Sequence, residues 1–88
     1  MAPYMKSKQD RDENMYTLTI RQKSKDIDIR VLPNQRIHAV LQVLKENGHI
    51  SGEVDNIYVY SKRRQEYLNQ MMTFRQAGIY SGDILELQ

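Results

Sequence analysis

The last sixteen residues leave few folds open to this chain. Thr73-Phe-Arg-Gln-Ala-Gly78 reads as a short capped helical turn with a glycine exit, and Ser81-Gly82-Asp83 reads as a reversal. Ile84-Leu-Glu-Leu87 then forms a strand that closes the chain at Gln88. Thr73 can accept a hydrogen bond from an exposed backbone N–H at the start of the turn, and Gly78 suits the left-handed position that follows it. Phe74 and Ile79 would clamp the turn from both ends. Leu85 and Leu87 alternate with Glu86, so one face of the closing strand is apolar. A strand that is also the last element is best protected in the interior of a sheet, away from an exposed edge.

The earlier residues supply the neighbours. Tyr16, Leu18 and Ile20 alternate with Thr17, Thr19 and Arg21, the period of a half-buried strand. After the polar reversal Gln22-Lys-Ser-Lys25, Ile27, Ile29 and Val31 alternate with Asp26, Asp28 and Arg30, which predicts a hairpin with one apolar and one charged face. Pro33 ends the second strand, and Asn34 is the expected N-cap of a helix. Ile37, Val40, Leu41 and Leu44 fall on one stripe of that helix, Val43 lies off it, and Asn47-Gly48 stops it. The stripe has to rest on the hairpin's apolar face, since neither is stable alone. His49 to Asn56 reads as a loop, Ile57-Tyr-Val-Tyr60 as a third strand with both tyrosines outward, and Tyr67-Leu68 as a short fourth. Between them lies the basic turn Ser61-Lys-Arg-Arg-Gln65. The right-handed crossover rule then places the closing strand between the first and third, parallel to the first. The expected fold is α+β: a ββαββ β-grasp, a mixed four- to five-stranded sheet packed on one helix.

Residues 1–14 are charged and polar and are expected to form a disordered leader, with residues 15–88 as the domain. With 88 residues there is room for one domain, which buries only about 60% of its unfolded surface. The chain has no cysteine, so disulfides and Cys-type zinc sites are excluded. It contains no apolar run near the roughly 20 residues a membrane span requires and no secretory h-region, so a cytoplasmic protein without membrane insertion is expected. Thirteen Lys and Arg against eleven Asp and Glu argue against a generic polyanion binder.

From Tyr16 to Leu87 the layout resembles ubiquitin. Within that superfamily, Ala77-Gly-Ile-Tyr-Ser-Gly-Asp-Ile-Leu-Glu-Leu87 is most similar to the YukD/EsaB family, small stand-alone ubiquitin-like proteins associated with bacterial type VII (WXG100) secretion. The resemblance implies a non-enzymatic adaptor whose partner is a cytosolic domain of a membrane component of that machine. Conjugated ubiquitin-like proteins and sulfur carriers use a tail ending in Gly-Gly. This sequence stops at Leu87-Gln88, so neither conjugation nor sulfur carriage is expected.

Few residues suggest chemistry. His38 and His49 match no metal-site spacing and are expected to be solvated. Asp26 and Asp28 share a strand face and read as part of a charged surface rather than a catalytic pair. No phosphate loop or nucleophile elbow is present, and neither a cofactor nor enzymatic activity is expected. Met71 and Met72 are expected to fill gaps in the core. The candidate protein-binding surface is composite. Tyr58 and Tyr60 project from the outer sheet face, with Lys62, Arg63 and Arg64 in the following turn. Lys23 and Lys25, in the first hairpin turn, are expected to approach that turn at the same end of the sheet. Aromatics with arginine at the rim suit a protein hot spot. The same groups would also suit a single-stranded nucleic acid, the alternative reading. The chain is expected to be a monomer or a weak homodimer, since the second strand's outer edge is guarded only by charges.

Overall fold

The structure is a computed structural model, and it describes residues 15–88. The expectation of a disordered leader therefore lies outside the described residues. The elements run β1 (Tyr16–Gln22), β2 (Lys25–Val31), helix α1 (Ile37–Glu46), a 3-10 turn (Val54–Asn56), β3 (Val59–Ser61), β4 (Glu66–Leu68) and β5 (Ile84–Leu87). They form a five-stranded sheet in the order β2-β1-β5-β3-β4. The closing strand is interior: Ile20 faces Leu85 in the parallel β1–β5 pair, and Tyr60 faces Glu86 in the antiparallel β3–β5 pair. The order and the parallel partner are those expected from the hydrophobic pattern.

Alternation decides the faces. Leu18, Ile20, Val59, Leu85 and Leu87 point inward and join Ile37, Leu41 and Leu44 of α1 in one core. Val40 is half-buried at the edge of that stripe, and Val43, off it, is 53% exposed. The closing turn adds Phe74 and Ile79, which are 1% and 0% exposed. Complete burial of such a side chain contributes about 1.5–3 kcal/mol. Met71 and Met72 are 56% and 41% exposed, so they do not fill the core as expected; they follow β4 on the surface side of the turn.

The C-terminus of α1 ends as its Asn47-Gly48 pair predicts. Gly48 adopts φ +77°, its N–H donates to Lys45 O, and His49 N–H donates to Leu44 O at 2.9 Å, the paired bonds of a Schellman motif. The N-terminus departs from expectation. Asn34 does not cap it; Arg36 occupies the cap position without a side-chain capping bond. Instead the N–H of Ile37 donates to Met72 O at 3.0 Å and that of His38 to Gln70 O at 2.9 Å. A distant segment thus satisfies two of the orphan donors that a local cap would otherwise take. Gln35 turns its side chain back to accept from Leu32 N–H at 2.8 Å.

The third strand is shorter than Ile57–Tyr60 and shifted onward, to Val59–Ser61. Tyr58 still exchanges both backbone bonds with Gln88, at 2.9 and 2.8 Å, so the ladder reaches it while Ile57 is taken by the 3-10 turn.

Candidate protein-binding surface

The closing turn is built as a reciprocal cap. Gln76 N–H donates to Thr73 Oγ1 at 3.1 Å, and Thr73 N–H donates to Gln76 Oε1 at 3.0 Å. Gly78 then takes φ +76°, and Ile79 N–H returns to Phe74 O at 3.0 Å, placing Phe74 and Ile79 together in the core. The basic turn after β3 docks on this element. Arg63 Nη2 donates to Gly78 O at 2.6 Å, and its guanidinium lies 4.9 Å over the Tyr80 ring. Arg64 lies so close to Gly78 that a Cβ there would collide with its guanidinium. Beneath the turn sits Asp83, 1% exposed, which accepts from the Ser61 hydroxyl at 2.7 Å and from Arg63 N–H at 3.1 Å.

Each cation of that turn therefore has a partner within the chain. Lys62 Nζ lies 3.8 Å from Glu86, Arg63 Nε lies 3.8 Å from Asp83, and Arg64 Nε donates to Glu66 at 2.6 Å. Lys23 and Lys25 are exposed but do not join this group. The expected meeting of the two basic turns is overturned by strand direction. β3 runs antiparallel to both β5 and β1, so a turn that follows β3 and a turn that follows β1 lie at opposite ends of the sheet.

On the outer face, Asp26, Arg21, Glu86, Tyr60 and Tyr67 form one row across all five strands. Arg21 Nε and Nη2 grip the two Asp26 oxygens at 2.8 and 3.0 Å, a two-pronged bond. This hydrogen bond holds the Asp26 carboxyl below the usual carboxylate range, with partial desolvation opposing and the Arg21 charge assisting, and it raises Arg21 in turn. Asp28 accepts the Thr19 hydroxyl at 2.8 Å. The two aspartates are thus bound to different groups of β1, in keeping with a charged surface.

The far end of the row is aromatic. Tyr58 and Tyr60 face outward as expected, Tyr58 being 68% exposed and Tyr60 half-buried. The third ring, Tyr67, is the residue the sequence reading missed. It stands edge-on to Tyr60 at 5.0 Å between centroids and edge-on to Tyr58 at 6.2 Å, and it is 59% exposed. Its hydroxyl donates to Gln88 Oε1 at 2.8 Å. Tyr58 and Tyr67 wall a shallow cavity of about 360 Å³. The available signal was the spacing: four residues between Ser61 and Glu66 make a hairpin, which puts Tyr67 opposite Tyr60.

Of the histidines, His49 is exposed, whereas His38 is half-buried and hydrogen-bonds Asp55 through Nε2 at 2.8 Å, correcting the expectation of two solvated rings. That bond, with Gln70 Nε2 donating to Val54 O and Ile57 O, ties the 3-10 turn to the helix and the closing segment. No group of three or more His, Asp or Glu side chains able to hold a metal forms among the described residues. No described helix is long and apolar enough to cross a membrane.

No protein-family model and no curated protein matches the sequence. Solved structures do match the fold. A de novo design based on ubiquitin superposes with a TM-score of 0.69 at 21% identity, covering 85% of this chain and 88% of that one. The UBL domain of Plasmodium falciparum Dsk2 gives 0.68 at 14% identity, covering 83% and 95%. Caldiarchaeum subterraneum ubiquitin gives 0.64 at 18% identity, covering 83% and 90%. The fold is a ubiquitin-like β-grasp. In this ubiquitin-like domain the tyrosine wall occupies the outer face of β3 and β4, and α1 covers the opposite face of the sheet.

Proposed function

We propose that the chain is a non-enzymatic protein-interaction module that docks a partner on the outer sheet face around Tyr58, Tyr60 and Tyr67. The observation that carries this reading is the Tyr67 ring, set edge-on to both other tyrosines while two of the three remain more than half exposed. Rigid aromatic side chains beside a shallow cavity supply contact area at low entropic cost, the property that binding hot spots share. The finer assignment, an adaptor of a type VII secretion system that engages a cytosolic domain of a membrane component, is supported by the resemblance of Ala77 to Leu87 to the YukD/EsaB family. Lys62, Arg63 and Arg64 serve here chiefly to hold the turn that flanks the tyrosines. Their pairing with Glu86, Asp83 and Glu66 argues against the nucleic-acid reading, which needs uncommitted cations.

The test is a titration of the wild-type chain and a Tyr58→Ser/Tyr67→Ser variant against cytosolic domains of type VII membrane components, with single-stranded RNA as a second ligand at two salt concentrations. Saturable binding of a secretion component that the double variant loses supports the proposal. Retention by the variant removes the tyrosine face. Binding to none of the components removes the type VII assignment. RNA binding that weakens steeply with salt would favour the nucleic-acid alternative.

A further inference from the structure

We propose that β2 is a self-association edge, on which a second copy of this chain pairs antiparallel about a two-fold axis through Ile29. This strand is the outermost on its side of the sheet and is seven residues long, against three for β4 on the other side. Long edges are usually blunted by charge, proline or a bulge. β2 has no proline, and the carboxylates of Asp26 and Asp28 are drawn toward β1 by Arg21 and Thr19. Beside the strand, Ile29, Val31, Val40, Val43 and Leu44, with Arg30 and Gln35, line a groove of about 260 Å³ between β2 and α1.

The backbone limits the choice of register. Lys23-Ser24 is a two-residue loop, so Lys25, Ile27, Ile29 and Val31 direct their N–H and C=O groups to β1, and Asp26, Asp28 and Arg30 direct theirs to the open edge. A second β2 can bond only by matching edge-directed residues with each other. With the axis at Ile29, Asp28 lies opposite the partner's Arg30 and Arg30 opposite the partner's Asp28. On the inner face, Ile29 then meets its own counterpart and Ile27 meets Val31. Moving the axis one residue back sets Asp28 against Asp28, and moving it one residue on sets Arg30 against Arg30. Like charges directly opposed are destabilising, and of these three registers only the one centred on Ile29 opposes none. Arg30 also makes an interaction within its own chain. The interface is isologous, and it brings the two grooves together so that Val43, 53% exposed in one copy, joins a shared apolar strip.

The chain has no cysteine, so introduced thiols report the register directly. In the proposed pairing, the two Ile29 Cα atoms form a non-hydrogen-bonded pair about 4.5 Å apart, inside the span of a disulfide. The two Ile27 Cα atoms, on the same face, lie about four residues (~13 Å) apart along the strands. Mild oxidation should therefore cross-link the Ile29→Cys chain into a dimer and leave the Ile27→Cys chain monomeric. Sedimentation gives an independent measure. Asp28→Arg alone and Arg30→Asp alone should each weaken self-association at least about 10-fold, and the double exchange should restore it. A chain that stays monomeric at millimolar concentration, equal cross-linking at both positions, or a double exchange that rescues nothing would overturn the proposal.

Discussion

The Ser61 hydroxyl donates to the Asp83 carboxylate across 2.7 Å, with both residues closed to solvent at 0% and 1% exposure. A carboxylate is stable in the interior only if its oxygens are filled. Here Ile84 N–H at 2.7 Å and Arg63 N–H at 3.1 Å complete the set, while the Ser61 oxygen accepts Arg64 N–H at 3.0 Å. Together these bonds fasten the end of β3, the basic turn and the start of β5. Asp83→Ala should cost about 3 kcal/mol by leaving buried donors without acceptors, and Ser61→Ala about 1–2 kcal/mol. Urea unfolding of the two single variants and the double variant should give a coupling energy of about 1 kcal/mol or more. Strict additivity would mean that the two side chains act separately.

The Arg21–Asp26 pair makes stability depend on pH in the acid range. The Arg21 hydrogen bond lowers the folded-state titration of Asp26 below its unfolded one. Its contribution is therefore complete above the ordinary carboxylate range and is lost as pH falls through the depressed folded value. Carboxyl carbon shifts followed by NMR should show Asp26 titrating at lower pH than a free aspartate, and Arg21→Gln should move it back up. An unmoved midpoint in Arg21→Gln would show that the pair is not formed in solution.

The β1–β2 loop holds two non-glycine residues in the left-handed region, Lys23 at φ +51° and Ser24 at φ +68°. Two-residue hairpin loops with both angles positive prefer Asn-Gly. Left-handed backbone costs an ordinary residue roughly 1–2 kcal/mol, partly offset for glycine by its freedom in the unfolded chain. The Lys23→Asn/Ser24→Gly variant should therefore be more stable by about 1 kcal/mol, read as a rise in the thermal midpoint. A fall in the midpoint would show that the lysine and serine side chains stabilise the loop in another way.

Tyr67 should matter more to recognition than to folding. Its edge-on contacts with Tyr58 and Tyr60 contribute about 0.5–1.5 kcal/mol each at most, and its ring is 59% exposed. Tyr67→Ala should lower stability by about 1 kcal/mol, and Tyr67→Phe should change it by less, since only the bond to Gln88 is removed. Denaturant titration of both variants checks this. A loss of several kcal/mol would mark the ring as part of the core.

Much of the fold could be read from the chain because it rests on local chemistry. Alternation at Leu18 and Ile20, and again at Leu85 and Leu87, decided which side chains are buried. Thr73, Gly48 and Gly78 marked where helical segments begin or end, since capping bonds and positive φ depend on residues a few positions apart. Tertiary structure decided what depends on residues far apart in sequence. The cap of α1 comes from the carbonyls of Gln70 and Met72, and no local pattern announces a donor satisfied from more than thirty residues away. The two basic turns lie at opposite ends of the sheet because β3 reverses against β1 and β5, a relation of strand direction rather than of composition. Tyr67 joins the aromatic wall through hairpin register, and Asp83 is buried because three donors converge on it from β3, the basic turn and β5. The chain's own residues determined which surfaces are apolar and where the backbone turns. Which side chains meet on those surfaces was decided by strand order and register, because pairing across a sheet is set by the core as a whole.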